Sequence, residues 1–180
     1  MYLVETARLQ LRMFRPGDLD AFACLLLDPE VVRYVGNGQP VPREEAETAL
    51  ISIINHWKEH GFGRWAVVDK QTEQFLGYGG LRSLFGTPEV VYHLARSCWG
   101  RGLGTELAKA SLRFGFEAQQ FERILAIAKP QNEASIRVME KAGMHYEKHT
   151  SYYNFDVVQY SIARDEFKQD DSLYVLHRSE

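Results

Sequence analysis

Three glycines within five residues, placed between an apolar segment and an amphipathic one, constrain the fold of this chain most. Gly100, Gly102 and Gly104 follow an apolar run at 90–95 and precede a stretch at 103–114 in which apolar residues recur every three or four positions. That spacing predicts a helix that begins at the glycines. The first N–H groups of a helix have no partner within it, and glycines leave room for a bulky anion to reach them. The segment therefore predicts a strand, a pyrophosphate-binding loop and a helix in succession.

Two widespread phosphate-binding motifs do not match this loop. A P-loop places Lys and then Ser or Thr after its last glycine, whereas Thr105 and Glu106 stand there. A dinucleotide fingerprint needs a third glycine where Thr105 lies and an acidic residue about 20 positions further on, where Gln120 lies. A glycine-rich turn without a ligand stays open as the alternative.

Composition narrows the class of protein further. Of 180 residues, 45% are hydrophobic and 25% are charged, which predicts one globular domain and excludes a disordered chain. The net charge of −3 provides no basic stripe, so we expect no nucleic-acid partner. The longest strongly apolar run, 21–27, is too short to cross a membrane, and the N-terminus lacks the pattern of a secretory signal. We therefore expect no membrane partner.

Cysteine and histidine usage predicts a reducing compartment and no metal site. Cys24 and Cys98 are too few for a disulfide framework, which favours the cytoplasm. His56 and His60 lie one helical turn apart, but no carboxylate follows His56 as the helix of a zinc protease requires. We therefore expect a solvated helix face at these histidines and no bound metal.

The order of predicted elements mixes helices and strands around one sheet. Alternating residues predict strands, and apolar residues at intervals of three or four predict helices. The elements are a strand at 3–14, a short helix capped by Asp18, a helix over 46–57, a hairpin of 65–68 and 75–84, a strand at 90–95, a helix at 103–114, a strand at 124–128, a helix at 132–142, and closing strands at 146–153 and 158–162. This α/β (α+β) pattern contains no linker, so we expect a single domain at residues 1–166 and a polar C-terminal tail at 167–180.

The glycine loop, 99–104, resembles the acyl-CoA pyrophosphate loop of the GNAT superfamily of N-acetyltransferases. Trp99 replaces the family's Gln or Arg, a substitution usual in the branch of ribosomal-protein N-terminal alanine/serine acetyltransferases. Further matches to that branch lie at Thr6–Arg12, Tyr92–Ala95, Asn132–Ser135 and Glu140–Gly143. The resemblance implies the GNAT fold: a mixed, mostly antiparallel sheet of about seven strands, flanked by about four helices, with two parallel strands splayed at the CoA site.

The resemblance also implies how acetyl-CoA, the cosubstrate, is held. The pantetheine arm would lie in the gap between the splayed strands and bond the backbone of Leu94 and Arg96. The pyrophosphate would sit at the loop, whose residues are Gly100, Arg101, Gly102, Leu103, Gly104 and Thr105. Asn132 matches a position that touches the CoA arm, although an asparagine there is equally suited to cap the following helix.

Two catalytic roles follow from the same resemblance. Glu89 matches a glutamate that often acts as general base, usually through water; a solvated carboxylate at a strand start is the plain alternative. Ser135 matches the branch's proton donor to the departing CoA thiolate, and a small polar residue in a first helical turn is its alternative. Many family members have a tyrosine where Met139 stands. The missing tyrosine favours Ser135 as the acid, or means that no acid is needed.

The reaction implied is direct attack of a primary amine on the acetyl thioester. Only an unprotonated amine reacts, and an α-amine with a pKa of about 8 needs far less help from a base than a lysine at about 10.4. By resemblance, the leading acceptor is the N-terminal α-amine of a protein or peptide.

Two other functions stay open from sequence alone. One is acetylation of a small-molecule amine such as a polyamine, amino acid or antibiotic, and the acidic net charge slightly favours a cationic acceptor. The other is a catalytically inactive CoA-binding sensor or interaction module. Either a monomer or a homodimer is compatible with the sequence.

Overall fold

One mixed sheet organises residues 2–178, the part of the chain that the computed structural model describes. Its nine strands are β1 (Tyr2–Glu5), β2 (Leu9–Arg12), β3 (Arg64–Asp69), β4 (Phe75–Leu84), β5 (Thr87–Leu94), β6 (Arg123–Ala128), β7 (His145–Tyr152), β8 (Phe155–Ala163) and β9 (Val175–Arg178). Their order is β7-β8-β6-β5-β4-β3-β2-β1-β9, and every neighbouring pair is antiparallel except β5 and β6. The predicted mixed, mostly antiparallel sheet is confirmed, with nine strands instead of about seven.

One of the additional strands arises because residues 3–14 form a hairpin and not a single strand. β1 and β2 are antiparallel, with Val4 opposite Leu11. Thr6 makes the turn between them: its amide donates to the Leu9 carbonyl at 2.9 Å, and its hydroxyl accepts from the Leu9 amide at 3.1 Å. Apolar and polar residues continue to alternate through this turn, so the sequence pattern does not reveal it.

The helices cover both faces of the sheet. They are α1 (Leu19–Leu27), the short α2 (Pro29–Val32), α3 (Arg43–His60), α4 (Leu103–Arg113), which continues into a π-helical turn at Phe114–Ala118, and α5 (Glu133–Lys141). The predicted cap of α1 is wrong, because the Asp18 carboxylate binds the Arg12 guanidinium at 2.6 Å and makes no cap bond to the helix. Within residues 2–178, no helix has the length and apolar character needed to span a bilayer.

The C-terminal segment differs from the polar tail predicted at 167–180. The Phe167 ring packs on Phe116 with centroids 5.1 Å apart, and Lys109 of α4 pairs with Asp170 at 2.6 Å. β9 then pairs with β1, whose outer edge would otherwise expose unpaired backbone groups. Residues 179 and 180 lie outside the described part of the chain.

Two helices show which side chains occupy each face of the central sheet. Tyr78 of β4 meets Phe22 of α1, with ring centroids 5.2 Å apart, and we call this side the α1 face. On the opposite side, a Cβ added to Gly79 would lie 2.7 Å from Leu107 of α4. We call that side the α4 face.

β5 and β6 pair at one end and then separate. Among the described residues their one register pair is Glu89 and Leu125, whereas β5 stays paired with β4 as far as Leu94. The edge of β5 at 90–94 therefore faces a gap, at the end of the strand that leads to the glycine loop. This confirms the predicted splayed parallel strands.

Candidate active site

The glycine loop places backbone donors that have no hydrogen-bond partner within residues 2–178 at the start of α4. Gly100 and Gly102 adopt left-handed φ angles of 72° and 77°, which glycine reaches without strain. The first backbone bond of α4 runs from the Glu106 amide to the Gly102 carbonyl at 3.1 Å. The amides of residues 103–105 precede that bond and have no partner within the helix. The predicted loop can therefore receive an anion at its exposed surface.

A cluster around the Glu106 carboxylate holds this loop in place. Oε1 accepts from the Thr6 hydroxyl at 2.7 Å and from the Arg8 amide at 2.9 Å, and Oε2 accepts from Arg8 Nε at 2.7 Å. Arg8 also donates from Nη1 to the Arg101 carbonyl at 2.7 Å. The side chains of Thr6, Arg8 and Glu106, which we call the loop clamp, join the turn between β1 and β2 to the loop. The sequence revealed Thr6 and Arg8 only as matches to a branch, with no role.

Replacing Glu106 by glutamine should weaken acetyl-CoA binding more than it slows the chemical step. The clamp would lose a charged acceptor for Arg8, and we expect KM for acetyl-CoA to rise about tenfold with kcat nearly unchanged. Steady-state kinetics with varied acetyl-CoA measures both constants. Glu117→Gln, which removes a helix ion pair with Arg113 of 2.9 Å, is the matched control. Equal effects of the two substitutions on KM would contradict a role for the clamp.

Trp99 bonds the backbone of both residues that the resemblance assigned to the pantetheine arm. Its indole Nε1 donates to the Leu94 carbonyl at 2.8 Å, and its amide donates to the Arg96 carbonyl at 3.1 Å. The Arg96 side chain pairs with Asp28 at 2.9 Å. Each carbonyl oxygen keeps a second lone pair, so the predicted bonds of these backbones to the cofactor stay a prediction.

Asn132, Ser135 and Tyr92 meet across the gap on the α4 face. Asn132 Oδ1 accepts from the Ser135 amide at 3.2 Å, which confirms the helix cap; its contact with CoA stays a prediction. The Tyr92 hydroxyl lies 3.0 Å from both the carbonyl oxygen and Oγ of Ser135. Burial raises the pKa of Tyr92 well above its ordinary value, so its hydroxyl keeps its proton at neutral pH.

Tyr92 is one of the polar residues of this site that sequence reasoning missed. It lies 43 residues from Ser135, and the only signal was its place in the matched segment 92–95. Met139, the position at which the resemblance implies a tyrosine in many family members, is fully buried in the core. Two hydroxyl groups therefore stand together at the gap although the expected tyrosine position holds none.

Glu89 lies where the gap opens and is almost completely buried, with 1% exposed. Its Oε2 accepts from Arg82 Nε at 2.5 Å. Burial raises the pKa of the Glu89 carboxyl, although the Arg82 charge and hydrogen bond oppose the shift. The alternative of a solvated carboxylate is therefore wrong. A buried carboxyl with a raised pKa is better matched to accepting a proton near neutral pH than a solvated one.

Glu89 belongs to a group of polar side chains on the α1 face. Tyr78 and His93 stack with ring centroids 4.7 Å apart, and Arg82 bonds Glu89 across the same two strands. Arg64 lies on the neighbouring strand β3, and its charge acts on Tyr78, Arg82 and Glu89. These five residues are called the β3–β5 cluster below.

The His93 ring should make the protein less stable in mild acid. Its Nδ1 is buried without a hydrogen-bond partner among residues 2–178, and burial, helped by Arg82 and Arg64, lowers the pKa of His93 from 6.5 to about 3. Below pH 6.5, His93 binds a proton in the unfolded chain but stays neutral in the folded chain. The free energy of unfolding should therefore fall as pH drops from 6.5 toward 3.

Urea unfolding at pH 7 and pH 5 measures this effect. We expect His93→Asn to reduce the loss of stability between the two pH values by about 1–2 kcal/mol. His149→Asn, at an exposed position of β7, is the control and should leave the loss unchanged. The same pH dependence in the His93 variant and the parent would contradict the assignment.

A cavity of about 660 Å³ lies beside the glycine loop, between α4 and the C-terminal segment. It begins at Gly102 and Thr105 and continues past Lys109 and Lys141. No residue of β5 or β6 lines it, so it lies apart from the gap.

The residues described in the structure contain no group of three or more potential metal ligands. His56, one of the two histidines weighed above, instead has Nδ1 2.9 Å from the Phe62 carbonyl oxygen.

Comparison with known proteins places the chain in a family. Residues 8–145 match the Acetyltransferase (GNAT) domain. The chain belongs to the GNAT acetyltransferase family. The protein YkkB of Bacillus subtilis (strain 168) is 36% identical over 160 residues, which cover 86% of this chain and 92% of YkkB. Membership confirms the predicted family and makes the chain an N-acetyltransferase.

Solved GNAT structures share the whole fold. RimL, a ribosomal L7/L12 α-N-protein acetyltransferase in complex with coenzyme A, matches with a TM-score of 0.79 at 16% identity, over 92% of this chain and 99% of RimL. The aminoglycoside acetyltransferase AAC(6')-Ib, in complex with coenzyme A, matches with a TM-score of 0.76 at 18% identity, over 88% of this chain and 96% of that chain. At these identities the two structures establish the GNAT fold, and RimL belongs to the branch that the sequence resembles.

Proposed function

We propose that this GNAT enzyme transfers the acetyl group of acetyl-CoA to the N-terminal α-amine of a protein or peptide. The observation that supports this most is the succession of three features along one path. Free amides at 103–105 lead to the gap between β5 and β6, and Glu89 is buried where that gap opens. With its diphosphate at the loop amides and its thioester in the gap, acetyl-CoA would have its acetyl carbon close to Glu89.

The residues present fit acetyl-CoA. The loop amides, from Gly100 to Thr105, would hold the pyrophosphate at the positive end of α4. The open edge of β5 at 90–94 offers backbone groups to the pantetheine amides, and Asn132 stands across the gap. The adjoining cavity is lined by five Lys or Arg side chains and three Asp or Glu side chains, and this positive balance favours further phosphate.

Acetyl-CoA, when bound, supplies an acetyl thioester. Glu89 accepts the proton that the attacking amine loses, directly or through one water molecule. Ser135 donates a proton from Oγ to the departing thiolate and regains one from water, while the neutral Tyr92 hydroxyl, 3.0 Å away, keeps Oγ in position. A backbone N–H near Leu94 would stabilise the oxyanion.

The α-amine is the acceptor that this machinery suits best. The carboxyl of Glu89 is tied to Arg82, which opposes the rise of its pKa and limits its strength as a base. An α-amine is already partly unprotonated near neutral pH and needs little help, whereas lysine needs much more. RimL, which shares the fold, is named for acetylation of an N-terminal amine.

A panel of acceptors tests the proposal. The release of free thiol from acetyl-CoA is followed with peptides that begin with Ser or Ala, with polyamines and with aminoglycosides. We expect turnover with the peptides at low concentration and little with the others. Turnover restricted to a polyamine or an aminoglycoside would replace the proposed acceptor by a small molecule. Tight CoA binding without turnover of any amine would identify a sensor and overturn the proposal.

A further inference from the structure

The β3–β5 cluster carries one more positive charge than negative. Arg82 and Glu89 neutralise each other through a bond of 2.5 Å. Arg64 is half-buried, and within residues 2–178 its guanidinium makes neither an ion pair nor a side-chain hydrogen bond. His93 is neutral at ordinary pH, because burial lowers its pKa to about 3. The cluster therefore holds a net positive charge at Arg64.

An uncompensated guanidinium in this position is costly to the fold. Burial lowers the pKa of Arg64, and the like charge of Arg82 adds to that shift; Tyr78 and Glu89 oppose the shift without reversing it. A guanidinium nevertheless keeps its proton at physiological pH. A charge withdrawn from water without a partner destabilises a protein. Arg82 is bound to Glu89, so Arg64 is the cation of this cluster that is left to bind an anion from outside.

The cluster lies on the side from which an acceptor must approach. The loop and α4, and hence the cofactor of the proposed function, occupy the α4 face, where Tyr92 contacts Ser135. Tyr78, Arg82, Glu89 and His93 occupy the opposite, α1 face, at the same end of the gap. An amine that reaches the thioester from the α1 face passes these side chains.

We propose that the acceptor amine carries an anionic group, such as a carboxylate, that binds Arg64 while the amine faces Glu89. This inference rests on the proposed function and specifies its acceptors as short peptides that carry a negative charge near the N-terminal amine. Guanidinium groups bind carboxylates with two parallel hydrogen bonds, which gives orientation as well as affinity. Polyamines and aminoglycosides, which are polycations, would be repelled by the same cluster.

The proposal reverses an expectation drawn from the net charge. A chain with a charge of −3 slightly favours a cationic acceptor as a whole. The local charge beside Glu89 has the opposite sign, and a buried charge nearby acts more strongly than screened charges on the distant surface.

Matched acids and amides test the proposal. Alanine, Ala-Gly and Ala-Gly-Gly are compared with their C-terminal carboxamides as acceptors, so that the members of a pair differ in one negative charge. For at least one pair, we expect kcat/KM to be about 10- to 100-fold higher for the acid. Arg64→Gln should remove the preference, Arg64→Lys should keep part of it, and CoA affinity should stay unchanged in both variants.

A binding measurement separates failure of this proposal from failure of the proposed function. Calorimetry compares the N-acetylated acids and amides as ligands of the protein saturated with CoA, and it needs no turnover. Preferential binding of an acid that Arg64→Gln abolishes supports the anion site even if no amine is acetylated. Equal use and equal binding of acids and amides in every pair would overturn the anion site while leaving the acetyltransferase intact. A preference that survives in Arg64→Gln would overturn the assignment to Arg64.

Discussion

Replacing Gly102 by valine should lower the affinity for CoA by at least about 100-fold, since a diphosphate would lose about two charge-assisted bonds to loop amides. Gly102 has a φ of 77° and ends the loop at the first turn of α4. A valine avoids this left-handed conformation, so the loop must change shape, and its side chain would project where the anion binds. Calorimetric titration with CoA measures the loss.

Gly61→Val is the matched control for this experiment. Gly61 has a φ of 72° and, like Gly102, its added Cβ would meet no backbone atom within 4 Å, so the cost in strain should be similar. It ends α3, which does not contribute to the loop. Both variants should lose similar stability in urea, while only Gly102→Val loses CoA. Parallel losses of stability and CoA affinity in the two variants would mean that the loop is merely structural.

Replacing Glu89 by glutamine should lower kcat by about 100- to 10,000-fold, the range for removal of a general base. The glutamine is close in size and can still accept a hydrogen bond from Arg82, but it cannot take a proton from the amine. In the parent, kcat/KM corrected for the unprotonated amine should fall as pH drops through the raised pKa of Glu89. In Glu89→Gln this dependence should be absent. Rate measurements from pH 5 to pH 9 follow both effects.

Arg82→Gln distinguishes a base from a mere partner of Arg82. The Arg82 charge holds the pKa of Glu89 down against burial, so its removal should raise that pKa further and move the fall in kcat/KM to higher pH. At alkaline pH the variant should keep most of its kcat. If the two substitutions reduced kcat equally at every pH, Glu89 would serve only to neutralise Arg82.

The local part of this structure could be predicted from the sequence. The glycines at 100–104 and the spacing of apolar residues after them predicted the loop and α4. The alternation of residues predicted the hairpin of β3 and β4. Such features depend on residues within a few positions of one another, where backbone preferences and periodicity act. The resemblance then supplied the splayed strands, which no local pattern reveals.

Contacts between distant strands could not be predicted in the same way. The bond from Tyr92 to Ser135 joins residues 43 positions apart, and the clamp joins Thr6 to Glu106 over 100 positions. Such pairs depend on the register of the sheet, which alternation alone does not fix. The charge at Arg64 was hidden for the same reason: whether an arginine has a partner is a property of its neighbours in space. The turn at Thr6 and the short strand β9 were not predicted, because strands of four residues show little alternation in sequence.

Calorimetry of the purified, nucleotide-free protein with CoA, and in parallel with pantetheine, tests the binding of a diphosphate by the glycine loop most directly. We predict saturable binding of one CoA per chain and at least about tenfold weaker binding of pantetheine, which lacks the diphosphate. No detectable heat with CoA, or equal affinities for CoA and pantetheine, would contradict a pyrophosphate site at residues 100–105.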